Sequence, residues 1–306
     1  MTVAGTRADE VVVARRLRTG AGTRVSAVQH ALRRNPTILI GGAILLALVL
    51  ASVFAPLLAP ADPVKAGFAT RVRPPSILGY DSGFVLGSDN LGRDVLSRIL
   101  YGGRVSLWVA VRGVVGAGIV GVILGLVSGY VGGWLDDIVQ RVVDIQLSFP
   151  VIMLAIAFIA VVGTSDAAVV GVLIVSGWVI YARTVRASVL SVKHNEYIQA
   201  ARALGANGTR IVVRHILPNV TAPIIVVATV QLASMLLLES GLSFLGLGIQ
   251  PPTPSWGKML AEGRDYLSNA WWLSTMPGLA IALAVLGANL LGDGVRDLLD
   301  PNLRSE

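Results

Sequence analysis

The side chains that most often perform catalysis or hold metals are scarce in this chain. There is no cysteine, so disulfides, thiolate nucleophiles and Cys-ligated metals are excluded. The three histidines, His30, His194 and His215, do not stand at metal-ligand spacing from one another. No H-E-x-x-H or G-x-S-x-G sequence occurs either. The residue types therefore predict no catalytic residue and no metal site in this chain.

Two short glycine motifs could suggest chemistry, and neither is complete. A phosphate-binding loop of the type G-x-x-x-x-G-K-[ST] is absent, because the single Gly-Lys pair is followed by Met259. Gly292-Asp293-Gly294 is similar to a motif of intramembrane aspartyl proteases, but no second membrane-embedded aspartate is available to pair with it. We interpret this motif as a helix C-terminus that enters a turn. We therefore predict that the chain is not an enzyme and hydrolyses no ATP itself.

The composition predicts an all-α polytopic membrane protein. Of 306 residues, 54% are hydrophobic and only 14% are charged, and the mean hydropathy is +0.72. Soluble domains are about a quarter charged. The net charge of +7 could suggest nucleic acid, but basic residues of membrane proteins collect in cytoplasmic loops. We expect membrane lipid and no nucleic acid as a partner.

Apolar runs predict six transmembrane helices with both termini in the cytoplasm. Residues 183–221 hold six Lys or Arg against one Glu, whereas the turn at 163–166 holds no Lys or Arg, which sets this orientation. We predict a basic N-terminal tail at 1–36, a first span at 37–58, an extracytoplasmic segment at 59–104, a five-helix core at 105–292 with a cytoplasmic loop at 193–219 and an extracytoplasmic segment at 246–274, and a cytoplasmic tail at 293–306.

Two local features refine this prediction. Residues 86–107 are expected to form a separate short helix on the external surface, capped by Ser88 or Asp89. The third span, 134–162, contains Pro150, so we expect a kink or a local break there.

Small residues recur at regular intervals along the second predicted span. A spacing of four residues places these small side chains on one face of a helix. In lipid, such a face lets the backbone of another helix approach closely. We predict that it is a packing ridge made of Gly113, Ala117, Gly121, Gly125, Gly129 and Gly133.

Two ionisable residues, Arg112 and Glu239, fall inside predicted spans near the external third of the membrane. Such residues are costly in hydrocarbon and usually face a cavity or each other. Our hypothesis is that they form a pair or jointly face the mouth of a pathway. The alternative is that each reaches the headgroup region separately.

The polar stretch 196–219 is the long interruption between two apolar runs. Its first half, Glu196–Leu204, has strong helix formers and is stopped by Gly205. The chain restarts at residues 207–209, and Ile211–Leu217 is expected to form a second helix that ends at Pro218. Paired short helices with small residues at 200, 201 and 205 predict a surface that docks into a groove of another protein.

The same stretch resembles the EAA signature of ABC-importer permeases. Gln199-Ala200-Ala201, Gly205 and His215-Ile216-Leu217-Pro218 stand at its spacing, although Gln199 replaces the glutamate of its name and His215 replaces a hydrophobic residue. The resemblance implies a coupling loop that contacts the ATPase. The implied docking residues are Glu196, Gln199, Ala200, Ala201, Leu204, Gly205, Leu217 and Pro218.

From Arg34 onward, several longer strings resemble the C-type permease of dipeptide and oligopeptide importers, and nickel-importer permeases share them. They are LGSDNLGRDVLSRILYGGRVSL, GYVGGWLDDIVQRVVDI, FLGLGIQPPTPSWGKMLAEGRDYL and NLLGDGVRDLLDP. The resemblance implies the type I ABC importer permease fold in the bacterial plasma membrane. It also implies a related B-type permease as partner, two ATPase subunits inside and an extracytoplasmic substrate-binding protein.

In such an importer this chain would bind no cofactor, because ATP and Mg belong to the ATPase subunits. The expected mechanism is alternating access, in which closure of the ATPases moves the coupling loop and opens the cavity outward. Peptides are the expected cargo, with nickel or another small solute as the alternative. A self-contained channel or secondary transporter is a further alternative. A protein of that kind is expected to have intramembrane carboxylates or broken helices in matched repeats. This chain has one intramembrane glutamate and no internal repeat.

Overall fold

The computed structural model describes residues 35–299, and this part of the chain is helical. The only paired extended backbone within it is an isolated antiparallel bridge between Ser88 and Asp94. Nearly all of the predicted N-terminal tail lies outside the described residues, as do residues 300–306.

The helices are named in chain order. They are α1 (Pro36–Val53), α2 (Ala55–Leu58), α3 (Val95–Val131), α4 (Gly133–Leu147), α5 (Val151–Val162), α6 (Asp166–Val192), α7 (Glu196–Ala203), α8 (Gly208–Ile211), α9 (Leu217–Phe244), α10 (Trp256–Gly263) and α11 (Trp272–Leu299). A π-helical turn at Val212–Ile216 joins α8 to α9, and short 3₁₀ turns occupy Phe68–Thr70, Ser76–Leu78 and Arg264–Tyr266.

Six candidate membrane spans are present if a bent pair of helices counts as one. Five of them are α1, α3, α6, the continuous helix Gly208–Phe244 and α11. The sixth is α4 with α5, whose axes differ by 96°. Pro150 lies at the N-cap of α5, where it cannot continue the hydrogen bonding of α4. The predicted kink at Pro150 is therefore a full break of the helix.

The helix bundle has two ends that face opposite sides. We call the side with residues 193–207 the inner side, and the side with residues 59–94 and 245–271 the outer side. These names follow the orientation predicted from the charge distribution.

α3 begins earlier than predicted. Asp94 caps it by accepting a hydrogen bond from the Ser97 N–H at 2.7 Å, and the helix then runs without interruption to Val131. The prediction of a separate surface helix at 86–107, capped by Ser88 or Asp89, is wrong. Gly102 and Gly103 do not end the helix; they are the places where Trp256 of α10 and Ser52 of α1 approach it closely. The predicted boundary between 104 and 105 falls inside α3.

α11 ends later than predicted. It continues to Leu299, so Gly292-Asp293-Gly294 lies within the helix, and its interpretation as a helix end is wrong. The glycines serve packing against neighbouring helices. A Cβ atom on Gly294 would collide with Ile38 of α1, and one on Gly292 would lie 3.2 Å from the Thr229 hydroxyl of α9.

The small-residue series of α3 packs against α6. Positions 113, 117, 121, 125 and 129 are buried. A Cβ atom added to Gly113 would lie 2.7 Å from Leu173, one on Gly125 would lie 2.7 Å from the Ala182 carbonyl, and one on Gly129 would lie 2.9 Å from Val189. Ala117 is fully buried opposite Gly177. Five members of the predicted ridge thus allow α3 and α6 to approach along most of their length.

Gly133 is not part of this ridge. α3 ends at Val131, Gly132 and Gly133 have φ of +71° and +61°, and no atom lies within 4 Å of a Cβ built on Gly133. The period of four continues in the sequence past the point where the helix stops. These two glycines allow the chain to turn from α3 into α4.

The main apolar core lies where α3, α6, α9 and α11 meet. It includes the fully buried Val109, Leu173, Leu236 and Ala284. A second apolar cluster lies on the inner side beneath the segment that connects α6 to α9. This second cluster positions the candidate site.

Candidate functional site

We call residues 193–219 the coupling segment, because the sequence predicts docking there. The buried side chain of its helix α7 is Ile198, which is fully enclosed by the bundle. Ile198 packs in the inner cluster with Val189 of α6 and with Ile211 and Ile216, which follow α7. α7 is therefore held on its underside by apolar contacts.

The opposite face of α7 is open. Leu204 is 88% exposed and Tyr197 is 45% exposed, and Ala200 lies between them on the same face of the helix. Glu196 and Gln199 are also exposed. A large apolar side chain at the tip of a short helix, with small residues beside it, is the shape expected of a protrusion that enters a groove.

Gly205 ends α7 in a Schellman motif. Its φ is +82°, its N–H donates to the Arg202 carbonyl at 2.9 Å, and the Ala206 N–H donates to the Ala201 carbonyl at 3.0 Å. No atom lies within 4 Å of a Cβ built at Gly205. The requirement for glycine is therefore conformational, and a side chain would have space.

The second half of the coupling segment differs from the prediction. Asn207 caps α8 by accepting from the Arg210 N–H at 2.9 Å, and the helix then passes through the π turn into α9. In that turn the Leu217 N–H donates to the Val212 carbonyl. Pro218 follows this π turn inside the continuous helix Gly208–Phe244, so it does not end a second short helix as predicted. Leu217 is half-buried and Pro218 is exposed at this junction.

The inner end of α3 holds both sides of the coupling segment. The Lys193 ammonium donates to the Gly129 carbonyl at 2.9 Å. The Arg202 guanidinium lies 5.5 Å from the centre of the Tyr130 ring, and that ring also lies against Gly208. The coupling segment is thus attached to α3, α6 and α9.

Arg112 and Glu239 do not form the hypothesised pair. Within residues 35–299 there is no ion pair between them. The Arg112 guanidinium lies 5.7 Å from the centre of the Trp108 ring and lines a cleft of about 620 Å³ that also includes Asp166. Glu239 faces the interior and is fully buried. The two residues lie on different faces of the packed helices, which their depth alone could not reveal.

Glu239 accepts hydrogen bonds from serine hydroxyls. Ser243 donates at 2.9 Å and Ser240 at 3.4 Å, and the hydroxyls of Ser106 and Ser255 lie beside this group. Ser106 in turn accepts from the Trp256 N–H at 3.2 Å. Ser240 and Ser243 are close to Glu239 in sequence, but Ser106 and Ser255 come from α3 and from the cap of α10 and were missed. This cluster fastens the start of α10 to α3 and α9.

Replacing Glu239 with alanine is expected to lower the stability of the purified protein markedly. The serine hydroxyls would lose their shared acceptor in a buried site, and each unsatisfied group costs about 1–3 kcal/mol. Glu239→Gln keeps an acceptor oxygen and should be milder. Thermal unfolding in detergent measures the difference, with the exposed Glu196→Ala as control. Equal melting temperatures for Glu239→Ala and the control would contradict this role.

A buried ion network, which we call the outer clamp, joins the outer segment 59–94 to α10. Asp89 bridges Arg93 at 2.6 Å and Arg98 at 2.5 Å, and Glu262 bridges the same arginines at 3.1 Å and 2.8 Å. Arg93, Arg98 and Asp89 are buried. Asp89 and Arg93 are only four residues apart in the sequence. Glu262 lies 169 residues after Arg93, and nothing in the sequence indicates that it is close to them.

Comparison with known proteins identifies the family. Residues 121–305 match the model of the binding-protein-dependent transport system inner membrane component, and residues 26–75 match the N-terminal transmembrane domain of oligopeptide transport permease C. The chain belongs to this family of transport permeases and is a multi-pass protein of the bacterial plasma membrane. Its predicted membership of the C-type permeases of the peptide and nickel importer family is confirmed.

Curated relatives extend over nearly the whole chain. The dipeptide transport system permease protein DppC of Alkalihalophilus pseudofirmus is 42% identical over 275 residues, which cover 90% of this chain and 88% of the relative. The di/tripeptide permease DppC of Pseudomonas aeruginosa is 42% identical, with 87% and 88% covered. The glutathione permease GsiD of Pectobacterium atrosepticum is 44% identical, with 74% and 75% covered.

A solved structure of the MetNI methionine ABC transporter in inward-facing conformations has the same fold. The match has a TM-score of 0.50 and 21% identity, and it covers 63% of this chain and 94% of that chain. The predicted fold class, an all-helical ABC-importer permease, is thereby confirmed.

Proposed function

We propose that this chain is one permease subunit of an ATP-driven importer and forms half of the path by which di- or oligopeptides cross the plasma membrane. The observation that carries the choice of cargo is the set of curated relatives. Those named for dipeptides, di- and tripeptides and glutathione are 42–44% identical and cover 74–90% of the chain.

On the inner side, the coupling segment would dock on the ATPase, whose two subunits in the importer bind ATP and Mg and perform the hydrolysis. The exposed face of α7 with Leu204 at its tip supports this proposal. Because α7 follows directly from α6 and is followed by the continuous helix Gly208–Phe244, a displacement of α7 would tilt two spans together. Such rigid-body tilting is the basis of alternating access.

Within the membrane, a related B-type permease would supply the other half of the path. α3 supports this proposal, because its surface away from α6 is apolar and exposed at Val115, Ile119 and Ile123. Lipid or a second permease can cover such a surface. On the outer side, residues 59–94 and α10, joined by the outer clamp, would receive the substrate-binding protein that delivers the peptide.

A competition assay tests the cargo. We expect unlabelled di- and tripeptides to reduce uptake of a labelled dipeptide in a strain that depends on this system. Nickel chloride should leave that uptake unchanged. Uptake should also disappear when the ATPase subunits are inactivated. Competition by nickel would favour the alternative cargo, and uptake by the chain without ATPase subunits would favour a self-contained channel or secondary transporter.

A further inference from the structure

α4 is fastened to α6 by three polar contacts arranged in order along both helices. At the inner end, both oxygens of Asp136 accept hydrogen bonds from the Arg186 guanidinium at 2.6 Å. Further along, Asp144 accepts from Arg183 at 2.7 Å. The last contact is made by Gln146, which accepts from the Trp178 indole at 2.8 Å and donates to the Val175 carbonyl at 2.6 Å.

The order of these contacts shows how the helices lie. Contact positions rise from 136 to 146 on α4 while they fall from 186 to 175 on α6. With a rise of 1.5 Å per residue, both intervals correspond to about 15 Å. α4 therefore runs antiparallel to α6 from the inner side towards the middle of the span, where it ends at the break before Pro150.

Apolar contacts between α4 and the rest of the chain are few. Val139 and Val143 are its buried residues, and Val143 packs on Trp178, Val179 and Ala182 of α6. Leu135 is half-buried, and the other large apolar side chains of α4 are exposed, namely Trp134, Ile138, Val142, Ile145 and Leu147. α4 is therefore held to α6 by these side-chain contacts, and Leu124 of α3 packs against the same apolar cluster.

The Asp136–Arg186 contact differs from its neighbour. It is bidentate, and the side chains of Asp136 and Arg186 are 13% and 31% exposed. Asp144 and Arg183 are 64% and 50% exposed and share a single hydrogen bond. Bidentate ion pairs that are partly removed from water are stronger and geometrically more specific than exposed ion pairs with one hydrogen bond. The burial and geometry therefore make this pair the stiff link between α4 and α6.

The position of Arg186 connects this link to the coupling segment. α6 ends at Val192, and α7 begins at Glu196, so Arg186 lies on the last two turns of the helix that carries α7. Any displacement of α7 moves the inner end of α6 and, through Arg186, the inner end of α4. α5 then follows α4 across the break, since Ser148, Phe149 and Pro150 alone separate them.

We infer that the Asp136–Arg186 ion pair transmits movement of the coupling segment to the broken span α4–α5, so that ATP hydrolysis in the partner subunits changes the path in which the cargo travels. Both residues are positioning residues that act through α4 and touch neither cargo nor nucleotide. The inference rests on the proposed function of the chain as an importer permease.

Charge exchange in the reconstituted importer tests this inference. Asp136→Arg and Arg186→Asp should each reduce peptide uptake about tenfold or more, the range expected when one member of a coupled pair is removed. ATP hydrolysis should continue near the wild-type rate, so that fewer peptides are imported per ATP. The double exchange restores an ion pair with the opposite polarity and should recover most of the uptake. Arg183→Ala, which removes the exposed neighbouring contact, is the matched control and should resemble the wild type.

Neutral variants keep the test valid if charge reversal prevents folding. Asp136→Asn keeps the shape of the side chain, and Arg186→Gln replaces the partly exposed arginine with a shorter neutral polar residue, so yields and melting temperatures should stay near those of the wild type while uptake per ATP falls. A parallel loss of uptake and hydrolysis in every variant, or no recovery in the double exchange, would show that the pair only maintains the fold and would overturn the inference.

A distance measurement separates this inference from the identity of the cargo. The chain has no cysteine, so spin labels can be attached at Ile145→Cys on α4 and Leu283→Cys on α11, both at exposed positions, in a complex of cysteine-free partners. ATP should change their separation in the wild type and not in Arg186→Gln. The same change in both proteins would overturn the inference. Failure of peptide uptake by the wild type would overturn only the proposed cargo.

Discussion

Replacing Gly121 with alanine should severely reduce the yield of folded protein, although it adds a single methyl group. A Cβ atom at this position would overlap the Trp178 carbonyl oxygen, lie 2.5 Å from the Tyr181 Cβ and lie 3.0 Å from the Ala182 nitrogen. Most of these atoms are backbone, so they cannot rotate away. α3 and α6 would have to separate, and overpacking of this kind costs about 1–3 kcal/mol or more.

Gly118 supplies the matched control on the same helix. A Cβ atom there would lie 3.6 Å from the nearest atoms of the Tyr181 ring, which is ordinary van der Waals contact. Gly118→Ala should therefore be neutral or slightly stabilising, because alanine is the better helix former. Thermal unfolding of the two variants in detergent compares them directly. Equal melting temperatures would contradict the assignment of Gly121 to the contact between α3 and α6.

The glycine ridge illustrates what the sequence could predict and where it stopped. The period of four placed Gly113, Gly121 and Gly129 on one face because the geometry of a helix requires it. The period could not reveal that α6 is the partner, nor that the helix ends before Gly133. The end of α3 depends on the positive φ of Gly132, which allows a turn that the sequence pattern does not distinguish from continued helix.

Apolar runs predicted the spans well, and their ends were predicted poorly. α3 extends beyond the apolar part because the outer clamp covers the turn that contains Arg98. α11 extends because Gly292 and Gly294 let it continue to pack on α9 and α1. The pairing of Arg112 with Glu239 was inferred from equal depth. The structure instead gives Glu239 hydrogen bonds from Ser240 and Ser243 of its own helix, and Ser106 of α3 and Ser255 at the cap of α10 lie beside this group, a convergence that only the packed fold defines.

The coupling segment was predicted in its first half and not in its second. Strong helix formers followed by glycine correctly indicated that α7 ends at Gly205. Pro218 was interpreted as a helix end because proline usually interrupts a helix. It lies instead in the first turn of α9, and the preceding π turn lets one continuous helix reach from the docking surface across the membrane. The docking role itself remains our proposal.

Gly205→Pro is expected to abolish peptide uptake while the protein still inserts and folds. Proline requires φ near −65°, whereas Gly205 has +82°, and proline also removes the N–H that donates to the Arg202 carbonyl. The Schellman motif could not form, so the tip of α7 with Leu204 would be displaced. Because Gly205 is exposed and contacts little else, the melting temperature of the permease should hardly change.

Two further variants decide whether loss of uptake reflects the backbone conformation of the docking tip. Asparagine tolerates positive φ better than other residues with side chains, so Gly205→Asn should retain substantial uptake. Gln199→Ala should be mild, because this exposed side chain makes one hydrogen bond, to the His194 carbonyl at 3.0 Å. Uptake and ATPase stimulation in the reconstituted complex are the measurements. Normal uptake by Gly205→Pro would refute the docking role, since the shape of the tip could then not matter to the partner that drives transport.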